Sequence, residues 1–464
     1  MTLYELIKEN KGLNFIDPDT KKNNSISDFH NSLVIQDLKR LVFIYGNNQI
    51  TSIEVFLNFL RSKCTISLLS RQVNNEFKEN IEKEYQPYYI YDPSRNKIKG
   101  YELCDKNVRI KGLFKIKKAS DYKIDENIKF LLSTSGTTGT PKFVKLSEEN
   151  LIANTKSILD YIPIKEDDVV PLNIPFVFVY GLSILLTNCI KGGSIICTDK
   201  DVLKKEFWED FNTYNCTSIS GVPYVYEMLY RIGFFKKTHT SLRYLNQAGG
   251  ALNLTLIKHI SAYALENKIP FYVQYGQTEA GGRMSFLHPS NLPEKAGSIG
   301  KPISGGKFEI DIETSELIYS GNSIYGGYAR NKAALSFFKK TNMLKTGDLA
   351  KKDKQGFFYI TGRIKRIMKM FGNRLNLDEI ELILKNNLEG QTFACVGLSD
   401  KYLSVMHMNA QLPDKAIRNI LKEKLKLHPN SIKITCETII PLTPSGKVNY
   451  EKIKEKLREQ TQNS

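Results

Sequence analysis

The sequence predicts an α/β protein: a large N-terminal domain of layered βαβ sheets with a β-rich subdomain attached, followed by a small α+β C-terminal domain. Three observations predict it. Strand-like and helix-like segments alternate from Leu41 to Val273. After Gly305 they give way to short strands separated by glycine turns, and between Gly362 and Lys365 the pattern resets to a compact mixture of helices and strands. A chain of 464 residues is also long enough for one large core followed by a smaller one, which places the domains at 1–362 and 363–464.

The elements follow in order. Residues 41–44 read as a buried strand, 52–61 as a helix with Val55, Leu57, Phe59 and Leu60 apolar, and 65–68 as a strand again, the alternation of a parallel sheet. Residues 130–132 end another buried strand, while Ser147 with Glu148 and Glu149 reads as the capped start of a helix running through 151–161. Strands at 194–197 and 217–220, a helix through 259–266 and a strand at 270–273 continue the pattern. The β-rich subdomain is expected at 307–312, 317–319 and 357–360. In the last unit we expect a helix at 378–386, strands at 393–397 and 405–411, a helix at 415–425 and a strand at 431–436.

Composition narrows the function. The formal charge is +17, but the lysines are spread among Asn- and Ile-rich segments and no nucleic-acid-binding signature accompanies them. A basic surface suits recruitment of an anionic small molecule or an acidic protein better than a nucleic acid. The seven cysteines form no CxxC or Cys/His cluster, so neither a zinc site nor a disulfide framework is expected. The opening MTLYELIKENKG lacks an apolar core of signal-peptide length, and the most apolar stretch, 171–198, is interrupted by Asn173, Asn188 and Lys191. We therefore expect no membrane span and a cytoplasmic location.

Five stretches carry candidate chemistry. LLSTSGTTGTPKFVKLS (131–147) joins a strand to a capped helix through small hydroxyl and glycine residues, a recurrent way of aiming backbone amides at phosphate. It is not a Walker A loop, because Pro141 precedes Lys142 and Phe143 follows it. Taken alone, it reads equally well as a flexible linker. YGQTEAGG (275–282) places an aromatic face, a hydroxyl and a carboxylate close together after an apolar strand; TGDLA (346–350) puts Asp348 in a turn. GRIKRIMKMFG (362–372) crosses the domain boundary, and PLTPSGKVNY (441–450) holds Lys447 in a Pro/Gly/Ser loop. Each alone is compatible with an ordinary turn or solvated surface.

Together and in this order, the five resemble the adenylate-forming superfamily of acyl-CoA synthetases, peptide-synthetase adenylation domains and firefly luciferase, over nearly the whole chain from Ile26 to Leu457. The resemblance implies a two-step reaction. A carboxylate attacks the α-phosphate of ATP to give an acyl-adenylate and pyrophosphate, and a thiol then displaces AMP. A negative nucleophile meeting a polyanion needs positioned cations and amide donors. By resemblance, Thr134, Ser135, Gly136, Thr137, Thr138 and Gly139 grip the β- and γ-phosphates with a lesser part for Lys142. Tyr275 and Gly276 flank adenine, Thr278 reaches the α-phosphate and Glu279 helps hold Mg²⁺. Asp348 and Arg363 take the ribose, while Gly249, Gly250 and Ala251 wall the adenine and acyl groups. Lys447 bridges the substrate carboxylate and α-phosphate. In the family the small domain is mobile. Lys365 falls at its hinge position, and Met368, Lys369 and Gly372 line the approach of the thiol, which belongs to CoA or to the phosphopantetheine of an acidic acyl carrier protein.

The sequence departs from the family in its acyl pocket. Where many relatives carry a histidine, PFVFVYGLS (175–183) has Phe178, so the wall is expected to be apolar with Tyr180 as its nearest polar tip and Gln274 and Gly282 on the facing strand and turn. No acidic residue lies between Leu172 and Cys189, which disfavours a substrate α-ammonium group. The chain is also shorter than most family members before the phosphate loop. The leading expectation is an ATP-dependent acid–thiol ligase. Its alternatives are a stand-alone enzyme loading an amino or hydroxy acid on a carrier protein and, more distantly, a non-catalytic nucleotide-binding protein.

Overall fold

The computed structural model describes the chain apart from residues 31, 34, 36–37, 105–109, 134–141, 371–372, 389–390, 400, 444–446 and 463–464. Its large part is built on three sheets. The broadest has eight strands, and its centre is parallel: Phe130–Ser133, Thr65–Ser70, Leu41–Gly46 and Tyr89–Tyr91 lie side by side. Leu41–Gly46 is buried along its whole length, the mark of a strand covered on both faces. Helix Ile50–Arg61 covers it and contributes Val55, Phe56, Phe59 and Leu60 to the main core. A second sheet runs Ser218–Gly221, Tyr244–Gln247 and Phe271–Tyr275 in parallel, then turns back through Ser285–Leu287. A third pairs Val169–Pro171, Ser194–Ile196 and Asn14–Asp17 in parallel.

The expected β-rich subdomain is an antiparallel sheet of Lys307–Ile310, Glu316–Ser320, Met343–Lys352 and Phe358–Arg363. Beyond it, the hairpin Ile367–Met370 with Asn373–Asn376 leads into helix Leu377–Asn387 and a sheet of Phe393–Gly397, Leu403–His407 and Ile432–Cys436. Met368, Leu377, Leu384, Phe393 and Leu421 form an apolar cluster of their own there. Buried Arg366 pins the start of this unit. It donates to Asp378 at 2.8 Å, to Glu381 at 2.5 Å and to the Cys395 carbonyl at 2.7 Å, and its guanidinium lies 3.6 Å from the centre of the Tyr450 ring. One residue joins the two sheet systems closely. A Cβ on Gly362 would fall 2.1 Å from the Asn376 side-chain amide, the group that donates to the Thr361 carbonyl at 2.9 Å and whose Oδ1 caps helix Leu377–Asn387.

Two local expectations change. Ser147 does cap the helix, now Glu148–Leu159, accepting from Asn150 N–H at 3.1 Å, but strand Phe143–Leu146 stands between the Gly/Thr segment and that helix. The segment therefore connects antiparallel strands, with Ser133 opposite Phe143, and does not lead directly into a helix N-terminus. Lys145 hid the strand from a sequence reading. Its ammonium is turned inward to the carbonyls of Ala334 and Phe337, at 3.1 and 2.6 Å, and so breaks the apolar pattern. The strand expected at 405–411 is Leu403–His407, ending where the chain enters the turn before helix Asp414–Leu425.

Candidate active site

Asp348 sits at the centre of the site. It is 3 % exposed, and strand Met343–Lys352 brings it into register opposite Arg363. Its Oδ2 accepts from the Tyr275 hydroxyl at 2.5 Å and from the Gln277 amide at 2.8 Å, and its Oδ1 from Arg363 Nε at 3.1 Å. Burial first, and then the adjacent Asp348 carboxylate, push the Tyr275 phenol well above its ordinary value, which keeps it a donor.

Thr278, Glu279 and Ala280 form a single helical turn just beyond strand Phe271–Tyr275. The loop around them is drawn tight at Gly276, where a Cβ would lie 2.2 Å from the Gly282 carbonyl oxygen. Glu279 Oε1 accepts from the Tyr328 hydroxyl at 2.8 Å, and Lys142 Nζ lies 3.4 Å from the centre of the same ring. Burial holds the Lys142 ammonium below the usual lysine range; Lys365 and Arg330 add repulsion and Glu279 opposes them. Lys142, at the end of the Gly/Thr segment, therefore shares one electrostatic neighbourhood with Glu279 and Lys365. Thr134, Ser135, Gly136, Thr137, Thr138 and Gly139 lie outside the described residues, as does Gly372.

Glu279 Oε2 takes no hydrogen bond among the described residues, and those residues contain no cluster of three or more His, Cys, Asp or Glu suited to a metal. A lone carboxylate with a free oxygen fits Mg²⁺, which binds proteins through one or two carboxylates and completes its shell with phosphate oxygens and water.

Lys447 comes from the C-terminal unit. Its loop is closed by hydrogen bonds from Thr443 N–H to the Lys447 carbonyl at 2.7 Å and from Lys447 N–H to Thr443 Oγ1 at 3.1 Å, and by an antiparallel bridge between Leu442 and Val448. The residue keeps solvent exposure, yet the protein crowded around its ammonium lowers its pKa. Arg363 lowers it further, while Asp348 and Glu279 act in the opposite sense. Residues 73 and 69 positions from Tyr275 and Gln277 respectively, and a loop near the end of the chain, thus converge on one place.

Residues 40–329 match the family model described as AMP-binding enzyme, more than half of the chain. This chain belongs to the AMP-binding enzyme family. Its relatives include the oxalate–CoA ligase of Saccharomyces cerevisiae, 25 % identical over 81 % of this chain and 72 % of that one. The 2-succinylbenzoate–CoA ligase of Staphylococcus epidermidis is 27 % identical over 72 % of this chain and 71 % of its own. Among solved structures, o-succinylbenzoate CoA synthetase from Bacillus subtilis, in complex with its acyl-adenylate intermediate, matches with a TM-score of 0.78 over 98 % of both chains at 18 % identity. As an AMP-binding enzyme the chain is an AMP-forming ligase.

Of the residues expected at the acyl pocket of this AMP-binding enzyme, Phe178 is half-buried at the N-cap of helix Val179–Lys191. Tyr180 is buried, and its hydroxyl donates to Asn246 Oδ1 at 2.8 Å, so the expected polar tip is already engaged inside the fold. Gly249, Gly250 and Ala251 turn away from strand Tyr244–Gln247, with the Gly250 carbonyl accepting from Gln247 at 2.7 Å. Gln274 is buried, donates to the Tyr161 hydroxyl at 3.0 Å and accepts from Arg283 at 2.7 Å. At the expected domain boundary, Lys365 and Lys369 are exposed. Met368, expected beside the thiol's path, is instead a core side chain of the C-terminal unit, because the strand's two-residue alternation turns Met368 and Met370 inward and Lys369 out. Sequence reasoning missed Gln277 and Tyr328. Gln277 lies inside a recognised motif, whereas Tyr328 is 49 positions from the carboxylate it touches and nothing local marks it.

Proposed function

We propose that this enzyme activates a small carboxylic acid with Mg²⁺ and ATP and transfers the acyl group to the thiol of CoA. The observation that carries the reading is the convergence of Lys447 with Asp348, Glu279 and Arg363. Asp348 would accept from the ribose hydroxyls, with Arg363 beside it. Thr278 would reach the α-phosphate, and the Thr134-to-Gly139 segment, outside the described residues, is assigned the β- and γ-phosphates by resemblance alone. Glu279 would hold Mg²⁺, which neutralises phosphate oxygens that otherwise repel an anionic nucleophile. A carboxylate oxygen of the acid attacks the α-phosphorus, the bond to the bridging oxygen breaks and pyrophosphate leaves with the electron pair. Lys447 stabilises the charge that builds on the oxygens between acid and α-phosphate in that transition state. In the second step the thiolate sulfur attacks the acyl carbonyl and AMP departs. The domain that carries Lys447 turns about Lys365 between the two steps, withdrawing the lysine loop. Gly249, Gly250 and Ala251 flank the nucleotide and acyl group, and Phe178 closes the acyl pocket. A cytoplasmic location, where ATP and CoA are both at hand, fits this reading.

Carboxylate-dependent ATP–pyrophosphate exchange, scanned over short, aryl, hydroxy and amino acids with no thiol present, tests the first step. Exchange with one acid class, followed by CoA-dependent thioester formation, is the expected result. Turnover with a phosphopantetheinylated carrier protein but not with CoA would reassign the acceptor. Silence across the panel from folded protein that binds ATP would overturn the reading.

A further inference from the structure

Glu279 is held at both ends by one short segment. The Tyr325 N–H donates to the Glu279 carbonyl at 2.9 Å, and three residues on, the Tyr328 hydroxyl donates to Glu279 Oε1 at 2.8 Å. The segment has a firm footing. Tyr328–Ala329 pairs antiparallel with Phe143–Leu146, Tyr328 opposite Val144 and Ala329 opposite Phe143, so Lys142, the residue before that strand, emerges beside it. Gly326 N–H donates to the Lys145 carbonyl at 2.8 Å, and Lys145 N–H to the Gly327 carbonyl at 3.0 Å. Gly326 admits no side chain, since a Cβ there would meet the Phe338 ring at 2.2 Å. The rings of Tyr325 and Tyr328 pack edge to face with centroids 4.9 Å apart. Strand pairing, a tight turn and an aromatic neighbour thus aim the Tyr328 phenol.

An ammonium beside a carboxylate ordinarily pairs with it. Lys142 and Glu279 feel each other's charge, yet no ion pair joins these two described residues; Lys142 Nζ lies instead 3.4 Å from the centre of the Tyr328 ring. A ring face attracts a cation in its own right. One tyrosine therefore engages one carboxylate oxygen with its hydroxyl and intercepts, with its face, the cation that would take the other. We propose that Tyr328 is a positioning residue for the metal: its hydroxyl orients Glu279 so that Oε2 is presented to Mg²⁺, and its ring keeps Lys142 off that oxygen. This deepens the reading of Glu279 as the Mg²⁺ ligand and rests on it. A carboxylate already fixed at one oxygen has less freedom to lose when the ion binds, and hydrogen-bond partners of metal ligands set metal affinity by about 10- to 100-fold.

The test is calorimetric titration of ATP, with no acid present, into protein held in EDTA and in excess Mg²⁺; the ratio of the two affinities is the metal's contribution. Tyr328→Phe keeps the ring and removes the hydroxyl. It is expected to cut that contribution by about tenfold while changing metal-free affinity by less than about twofold. Tyr328→Leu, which removes both features, should cut it by about threefold more, and adding Lys142→Met to Tyr328→Leu should return it to the Tyr328→Phe level. An undiminished metal contribution in Tyr328→Phe, or an equal fall in both affinities, would overturn the role of the hydroxyl. Equal values for the Phe and Leu variants, or no recovery on removing Lys142, would overturn the role of the ring. Glu279→Gln separates this proposal from the reading beneath it: if that variant keeps the full metal contribution, Glu279 is not the ligand and both fall. Tyr328→Phe differs from the wild type by one oxygen, so it decides the hydroxyl's part even if Tyr328→Leu does not fold.

Discussion

Lys447 reaches the site only because a loop near the chain's end is folded onto the large domain, and its charge is proposed to act in a single step. Lys447→Ala is therefore expected to lower pyrophosphate exchange by about 1,000-fold. Hydrolysis or thiolation of a supplied acyl-adenylate should change by less than about tenfold. Equal loss in both half-reactions would defeat the proposed alternation. The same residue sets a pH dependence. Its ammonium is depressed from 10.5 by burial first, so the catalytic charge is lost, as pH rises, before an ordinary lysine titrates. Exchange activity should fall on that earlier alkaline limb, and Lys447→Arg should move the limb upward even if the rate drops. The linkage to stability has the opposite sense. The folded state holds this proton more weakly than the unfolded one, so stability contributed by the group rises with pH between the folded value and 10.5. At this scale Tyr275, Thr278, Glu279, Asp348, Arg363 and Lys447 could be picked out of the sequence because each sits in a short motif whose neighbours mark it, and the roles given to them are the proposal. Tyr328 could not be, since a tyrosine that touches a distant carboxylate looks like any other until the chain folds.

Among the elements, the passage from strand Phe358–Arg363 to helix Leu377–Asn387 depends on a missing side chain. Gly362→Ala would drive a methyl group into the Asn376 amide, displacing both its bond to Thr361 and the helix cap. The expected penalty is about 2 kcal/mol, seen in urea unfolding, with faster amide exchange at the start of the helix. An unaltered exchange pattern would mean that Asn376 does not fasten the two units. Legibility here followed periodicity. Buried parallel strands such as Leu41–Gly46 and amphipathic helices such as Asp414–Leu425 declared themselves. Phe143–Leu146 did not, because Lys145 occupies an interior position where only neighbouring carbonyls make it tolerable. The consequence was a misread connection, not a misread fold.

For the molecule as a whole, the proposed rotation about Lys365 requires a backbone free to change its dihedral angles. Lys365→Pro would fix φ there and is expected to spare adenylation while lowering thioester formation by about 100-fold, measured in single-turnover assays of each step. Parallel loss of both steps would place the pivot elsewhere. Two-domain order was readable from the sequence through its change of rhythm near Gly362, whereas the closure of one unit on the other was not, since no local pattern encodes a contact between distant surfaces. The Asp348 network has one more implication, for the end of the catalytic cycle. Within the fold that carboxylate accepts from a phenol, an amide and a guanidinium. If the ribose borrows it, spent AMP strands no charge on leaving, because the protein's own donors reclaim it. On the proposed ribose role, that internal competition would lower nucleotide affinity and ease the clearance of AMP, an arrangement suited to turnover where ATP is plentiful.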